Sequence, residues 1–356
     1  MAQKLLFFDQ ETTTANKTPK RSPLVMRMAL LVLVTVSGVY IYYTDRLNII
    51  NPVVVVVVDN SAYNVKFLNG NKFQTNSQHC SRINDAESAL LHFPKPLTFN
   101  REECECNAVH RFAILSMQRS GSGWFETMLN SHINVSSNGE IFSVKERRSN
   151  VSTITRTLDQ VYNLDWFTSA SKNECSAAVG LKWMLNQGVM AHHEEIVEYM
   201  NKKGVSVIFL LRRNLLRRMV SVLANSYDRD AKLLNGTHKS HVHSSIEAEL
   251  LASYKPKINV TELRHILMVE EVKIGKALEF YNSTRHMILY YEDLIANRTA
   301  NLLKVQQFLR LPCRNLTSRQ VKIHRGPWSS QVENWDDIKT VLNGTSHENY
   351  LRVDYR

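Results

Sequence analysis

Four short apolar runs, Phe112–Met117, Ala177–Met184, Val205–Leu211 and His286–Tyr291, recur from residue 112 onward, and each is followed by a segment with helical spacing of its apolar positions. Runs that are apolar throughout suit strands buried on both faces, and the intervening helices are the connections that parallel strands need. The pattern predicts an α/β fold with a central, mainly parallel sheet and flanking helices. The longest helical stretch, Thr261–Tyr281, carries Leu263, Ile266, Leu267, Ile274, Ala277, Leu278 and Tyr281 on a face expected to be buried.

A different apolar pattern stands near the start. From Met28 to Tyr43 sixteen residues carry no charge, and Leu24–Met26 extends the run across Arg27. That length just spans a thin bilayer. Lys17, Lys20, Arg21 and Arg27 precede or flank it, so the positive-inside rule places the first residues in the cytosol. The expected organisation is a cytoplasmic tail at 1–24, a transmembrane signal anchor at 25–43, a stem or irregular lead-in at 44–107, and a lumenal domain at 108–356. The lead-in holds the valine run Val53–Val58 and the stretch FPKPL, with no sustained period. A cleaved signal peptide is the alternative, although no A-x-A site follows the run.

The cysteines and sequons fit a secretory compartment. N-x-S/T occurs at Asn134, Asn150, Asn235, Asn259, Asn282, Asn297, Asn315 and Asn343. Cys80, Cys104, Cys106, Cys175 and Cys313 imply one or two disulfides and a leftover thiol, with the connectivity open. At 356 residues and 44% apolar, the chain can bury a full core, which excludes a disordered or fibrous protein. Its formal charge of +11 predicts acidic partners: nucleotides, polyanionic glycans, nucleic acid or anionic membrane.

Candidate chemistry begins in the loop after the first run, MQRSGSGW. Gly121 and Gly123 allow successive backbone N–H groups to turn inward, the helix that follows adds the positive end of its dipole, and Arg119 adds a cation. The pattern GxxxxGK[ST] is absent, and with it the lysine and magnesium-binding hydroxyl used in ATP hydrolysis. The third run leads into RRNLLRRMVS, where Asn214 suits an N-cap and Leu215, Leu216, Met219, Val220 and Leu223 form a core face. Arg213, Arg217 and Ser221 stand four residues apart, so the spacing predicts a stripe of two cations and a hydroxyl, a second anion site.

Together these residues resemble the sulfotransferase family, over roughly residues 110–340. Gln118–Trp124 is similar to the family's 5′-phosphosulfate loop, and Arg213–Ser221 to its 3′-phosphate motif R-N-P-x-D-x-x-V-S. Tyr291-Glu292-Asp293-Leu294 is similar to its strand-end YEDL. The resemblance implies a P-loop-like fold and the donor 3′-phosphoadenosine 5′-phosphosulfate (PAPS), with no metal. It implies that Arg119, Ser120, Gly121, Ser122 and Gly123 surround the leaving phosphate, that Trp124 stacks on adenine, and that Arg213 and Ser221 hold the 3′-phosphate. Arg325 and Gly326 are the candidates for a closing loop. Glu140, in the context NGE, is the candidate base, and Lys182 a further catalytic candidate near the leaving group. Gly123 replaces a hydroxyl residue of the family pattern, Arg217 the common Asp, and Leu215 the Pro.

Together with the apolar run and the sequons, the resemblance leads to the expectation of a membrane-anchored enzyme of the secretory pathway, expected in the Golgi, acting on a hydroxyl. The expected acceptor is a carbohydrate or a tyrosine in a secreted peptide, the first preferred because the chain is more similar to carbohydrate and nodulation-type members. A lumenal topology argues against nucleic acid; the oligomeric state is open. Two rivals stand: a glycosyltransferase using Asp228-Arg229-Asp230 as a metal-binding D-x-D, and a binding protein that keeps the phosphate grips without catalysis. The histidines of HKSHVH, at His238, His241 and His243, read as a polar loop beside a sequon.

Overall fold

The computed structural model describes residues 91–324 and 326–352. The expected anchor, the valine run and Arg325 lie outside them. Among the described residues no helix is long and apolar enough to cross a membrane.

Five strands form one sheet: β1 (His110–Ser116), β2 (Val135–Ser137), β3 (Ala178–Met184), β4 (Ser206–Leu211) and β5 (His286–Tyr290). Their order is β2-β3-β1-β4-β5. Every pairing is parallel. All residues of β3 and β4 are buried, as expected of strands covered on both faces. The alternation of side chains along β1 shows why. Ala113 and Leu115 pack on one side, against Ile154, Leu158, Ile196 and Tyr281; Phe112 and Ile114 pack on the other, against Phe125, Met128, Leu302 and Val305. Gly180 permits the close approach of β3 to β1, since a Cβ there would stand 2.6 Å from the Phe112 ring and closer still to its backbone.

The helices on the first side are α2 (Val151–Tyr162), α3 (His193–Lys203) and the C-terminal end of α6 (Val260–Phe280); α1 (Ser122–Asn130) and α8 (Arg298–Phe308) cover the other. A further core joins α4 (Leu215–Ala231), α6 and α9 (Trp335–Leu342), with Trp328 between them. Short helices α5 (Ser245–Ala252) and α7 (Tyr291–Ala296) complete the layers. On α6, Leu263, Leu267 and Ala277 are buried as expected, but Ile266 is 37% exposed, because the buried face of this helix is narrower than its apolar stripe.

The end of the expected lead-in is fastened to the sheet domain. Arg101 donates to the Glu174 carbonyl at 2.8 Å, the Leu97 and Thr98 N–H groups donate to Asp165, and Cys104 is disulfide-bonded to Cys175. Cys106 is also disulfide-bonded, and Cys313 is a free, exposed thiol.

The chain leaves β1 toward β2 and β3 and later returns to β4 on the other side. Beyond the carboxyl ends of β1 and β4 the connections diverge and open a crevice, the place where ligands bind in open parallel sheets.

Candidate active site

The Ser116 hydroxyl at the end of β1 donates to the Leu210 carbonyl of β4 at 2.7 Å, which pins the two strand ends together. The loop beyond them turns sharply, with Arg119 (φ 64°) and Gly121 (φ 85°) in the left-handed region. Gly121 is demanded twice, by that φ and because a Cβ would strike the Tyr291 ring. Arg119 has no such freedom, and its conformation is held by its partners. Its carbonyl accepts from Arg212 Nη1 at 3.1 Å, and its guanidinium donates to Ser221 Oγ at 2.9 Å, Asn225 Oδ1 at 3.3 Å and the Ser240 carbonyl at 2.7 Å.

No side chain caps α1, so its first N–H groups remain for a ligand. Ser120, 1% exposed, has a hydroxyl with no hydrogen-bond partner among the described residues. An unsatisfied buried hydroxyl costs roughly 1–3 kcal/mol, a cost that an anion in the loop would relieve. The loop therefore fits a phosphate.

The loop forms one wall of a cleft of about 440 Å³. Arg119, Arg212, Arg229 and Lys322 line it, and Glu140 is the single carboxylate among the described lining residues. Burial, then the neighbouring Arg212, lowers the Arg119 pKa to about 10, which leaves it charged at neutral pH. His241 and His324 both fall to about 4, through lost hydration and then the field of Arg119, so both are neutral at pH 7. His241 is an exposed residue on the cleft rim, but its ring faces the cationic wall, where the crowding of protein atoms and the field of Arg119 both disfavour the imidazolium.

Glu140 is presented by the turn after β2. Gly139 N–H donates to Glu126 Oε1 at 2.9 Å, and Lys182 N–H donates to the Gly139 carbonyl at 3.0 Å. The Lys182 ammonium, buried, lies 3.1 Å from Glu126 Oε2 and 3.3 Å from Glu140 Oε1. Gln187 donates to Glu140 Oε2 at 3.0 Å. Burial opposes the charged ammonium, but Glu126 and Glu140 outweigh it and hold the Lys182 pKa above the usual lysine range. One carboxylate is thus aimed into a cationic cleft by a buried cation behind it.

Residues 110–334 match the model of the sulfotransferase domain, well over half of the 356-residue chain. The chain belongs to the sulfotransferase family. Comparison with curated proteins finds no sequence match. Among solved structures it is similar to a sulfotransferase from Alicyclobacillus acidocaldarius, with 10% identity, a TM-score of 0.37, and 68% of this chain and 99% of that chain covered. It is also similar to the sulfotransferase domain from the curacin biosynthetic pathway, with 15% identity, a TM-score of 0.31 and coverage of 68% and 83%. Mouse sulfotransferase SULT7A1 complexed with PAP shows 17% identity, a TM-score of 0.30 and coverage of 58% and 60%. Membership rests on the domain match.

In this sulfotransferase the cleft gathers Arg119, Gly121, Ser122, Gly123, Trp124, Glu140 and Ser221. Trp124 meets Tyr291 edge to face at 6.2 Å between centroids. The expected stripe of Arg213, Arg217 and Ser221 does not form. Arg213 precedes the N-cap Asn214 and so stands outside the helical repeat. Its guanidinium pairs with both oxygens of Asp293, at 2.5 and 2.7 Å, lies 3.9 Å from the Tyr290 ring centroid, and does not line the cleft. Arg217 is buried over Trp328. Arg212, one residue earlier, is the cation that lines the cleft, above the Tyr291 ring.

Not every candidate lines the cleft wall. Ser120 is buried within the loop, and Lys182 lies behind Glu140, where its ammonium is held by the two carboxylates. Gly326 does not line it either. Asp228 is buried and accepts from His238 Nδ1 at 2.6 Å and the Leu233 N–H at 3.0 Å, while Asp230 is exposed, so the D-x-D carboxylates face different environments. No group of three or more His, Cys, Asp or Glu side chains among the described residues is placed to hold a metal. His238, His241 and Ser240, from the stretch read as a plain loop, rim the cleft, and so does His324. Sequence carried no periodic signal for them, because loop residues reach a site only through the fold.

Proposed function

We propose that this sulfotransferase moves a sulfuryl group from PAPS to a hydroxyl of a glycan or another secretory-pathway acceptor. The observation that carries the reading is the cleft itself: a phosphate-cradling loop with an orphaned Ser120 hydroxyl, four cationic side chains, and one carboxylate, Glu140. PAPS, when bound, supplies an activated sulfuryl group on a good leaving phosphate. The loop N–H groups and Ser120 would hold the 5′ end, and Arg119 and Arg212 would stabilise charge on the leaving oxygen. Ser221, whose hydroxyl accepts from Arg119, would take the 3′-phosphate, and Trp124 would meet the adenine. Glu140 would accept the proton of the attacking hydroxyl, and Lys182 would orient it.

Calorimetry on the full-length protein tests the donor. 3′,5′-Adenosine bisphosphate is expected to bind far more tightly than ADP, and Arg212→Ala to weaken it roughly ten- to a hundredfold, as for a lost charged hydrogen bond. Arg213→Ala is expected to weaken it much less, because that guanidinium serves Asp293. Equal binding of ADP would sink the donor assignment. Transfer of radiolabelled sulfate from PAPS to a panel of glycans and tyrosyl peptides then separates the acceptors, with a carbohydrate hydroxyl expected.

The proposed residence is a Golgi or other secretory-pathway membrane, with the 25–43 segment as a single-pass anchor and the catalytic domain lumenal. The charge asymmetry around the apolar run supports it, as do the Cys104–Cys175 bond and exposed sequons at Asn235, Asn282, Asn315 and Asn343. Treatment of sealed microsomes with protease and then N-glycosidase checks it. The domain is expected to be protected and to lose mass on deglycosylation; digestion without membrane permeabilisation would reverse the topology.

A further inference from the structure

Gly123 and the His241 ring share one space. A Cβ on Gly123 would stand 2.5 Å from His241 Cε1 and nearer still to Nε2, so the imidazole occupies the volume that any side chain at position 123 would need. His241 comes from the segment between α4 and α5, and its backbone is clamped on both sides. The Ser240 carbonyl accepts from Arg119 Nη1 at 2.7 Å, and the carbonyl of Val242, a fully buried residue, accepts from the Val321 N–H at 2.9 Å. The ring itself makes no hydrogen bond to the described residues. A polar ring fixed at its base, facing a cationic cleft and lacking a protein partner, is a ligand group held ready.

Gly123 is also the position at which the resemblance leaves the loop one hydroxyl short. We propose that His241 fills that role, its Nε2 giving the 5′ phosphate of the adenosine donor the hydrogen bond that a side chain at position 123 would otherwise give. The inference rests on the donor reading above. A neutral imidazole carries one N–H, enough to donate to a phosphate oxygen at the N-terminus of α1 without adding another repulsive cation beside Arg119. The exchange also explains why glycine is required here although Gly123 has ordinary helical backbone: the constraint comes from the facing ring.

The test is calorimetry on the full-length protein with two probes, 3′,5′-adenosine bisphosphate and adenosine 3′-monophosphate, the second lacking the group His241 would touch. His241→Ala is expected to weaken the bisphosphate roughly ten- to a hundredfold and to leave the monophosphate unchanged. His241→Gln, which keeps a terminal N–H donor, is expected to recover most of the loss. Adding Gly123→Ser to His241→Ala should recover part of it, since the serine hydroxyl then enters the vacated space, whereas Gly123→Ser alone should weaken binding by displacing the ring. Wild-type affinity in His241→Ala, or an equal loss for both probes, would overturn the proposal. Failure of the wild-type protein to prefer the bisphosphate over ADP would instead sink the donor reading on which it stands.

Discussion

Glu140→Gln is expected to lower kcat by about 10²- to 10⁴-fold, the usual contribution of a positioned general base, with little change in affinity for 3′,5′-adenosine bisphosphate. The geometry separates the two effects. Glu140 is the cleft's single described carboxylate, while the phosphate contacts belong to the loop, Arg119, Arg212 and Ser221. Glutamine keeps the shape and can still accept the Gln187 hydrogen bond, while the capacity to take a proton and the charge paired with Lys182 are removed. Steady-state kinetics against a calorimetric binding control check this. A kcat within tenfold of wild type would remove Glu140 as the base and would mean that another group takes the proton.

Lys182→Met is expected to cost about 3–5 kcal/mol of stability and most of the activity, because it leaves the buried Glu126 carboxylate without its cation. Glu126 still accepts from Ser137 Oγ at 2.7 Å and the Gly139 N–H at 2.9 Å, but neither bond neutralises its charge. Combining Lys182→Met with Glu126→Gln should recover much of the stability and little of the activity, since Glu140 still lacks the ammonium that orients it. Thermal melting alongside kinetics separates the roles. Stability within about 1 kcal/mol of wild type for the single variant would mean that the ion cluster is not paired as described.

The pH dependence of that difference has a definite sign. A cation whose folded pKa is raised contributes stability that is fully present below its unfolded pKa of about 10.4 and is lost as pH rises through the folded value. The Lys182 pKa is raised. The gap between wild type and Lys182→Met should therefore hold from neutral pH to about 9 and narrow only in strong alkali.

Much of this organisation was legible in the chain. The four apolar runs became β1, β3, β4 and β5 within a residue at nearly every end, because strands in a sheet covered by helices are apolar over most of their length and so announce themselves. Only three residues make β2, Val135–Ser137, too short and too polar to give a period. The loop of Arg119 to Trp124 was legible too, since its glycines and cation lie in one continuous segment with chemistry tied to spacing.

Choices between neighbours were beyond the sequence. Arg212 and Arg213 differ by one position, and the arginine that faces the cleft is decided by Asp293, about eighty residues away, which captures Arg213 with both oxygens. Lys182 showed itself as a charge inside an apolar strand, but whether it meets the ligand or stands behind Glu140 depends on Glu126, which α1 brings to it. His241 gave no local sign at all, because its place against Gly123 exists only once the α4–α5 segment has been pinned by Arg119 and Val321. Local chemistry and burial along one segment are written in residue order. Which cation faces a ligand is settled by competition among partners that only folding brings within a few ångströms, so the family, the sheet and the phosphate loop follow from the chain, and the working faces of Arg212, Lys182 and His241 follow from the tertiary structure.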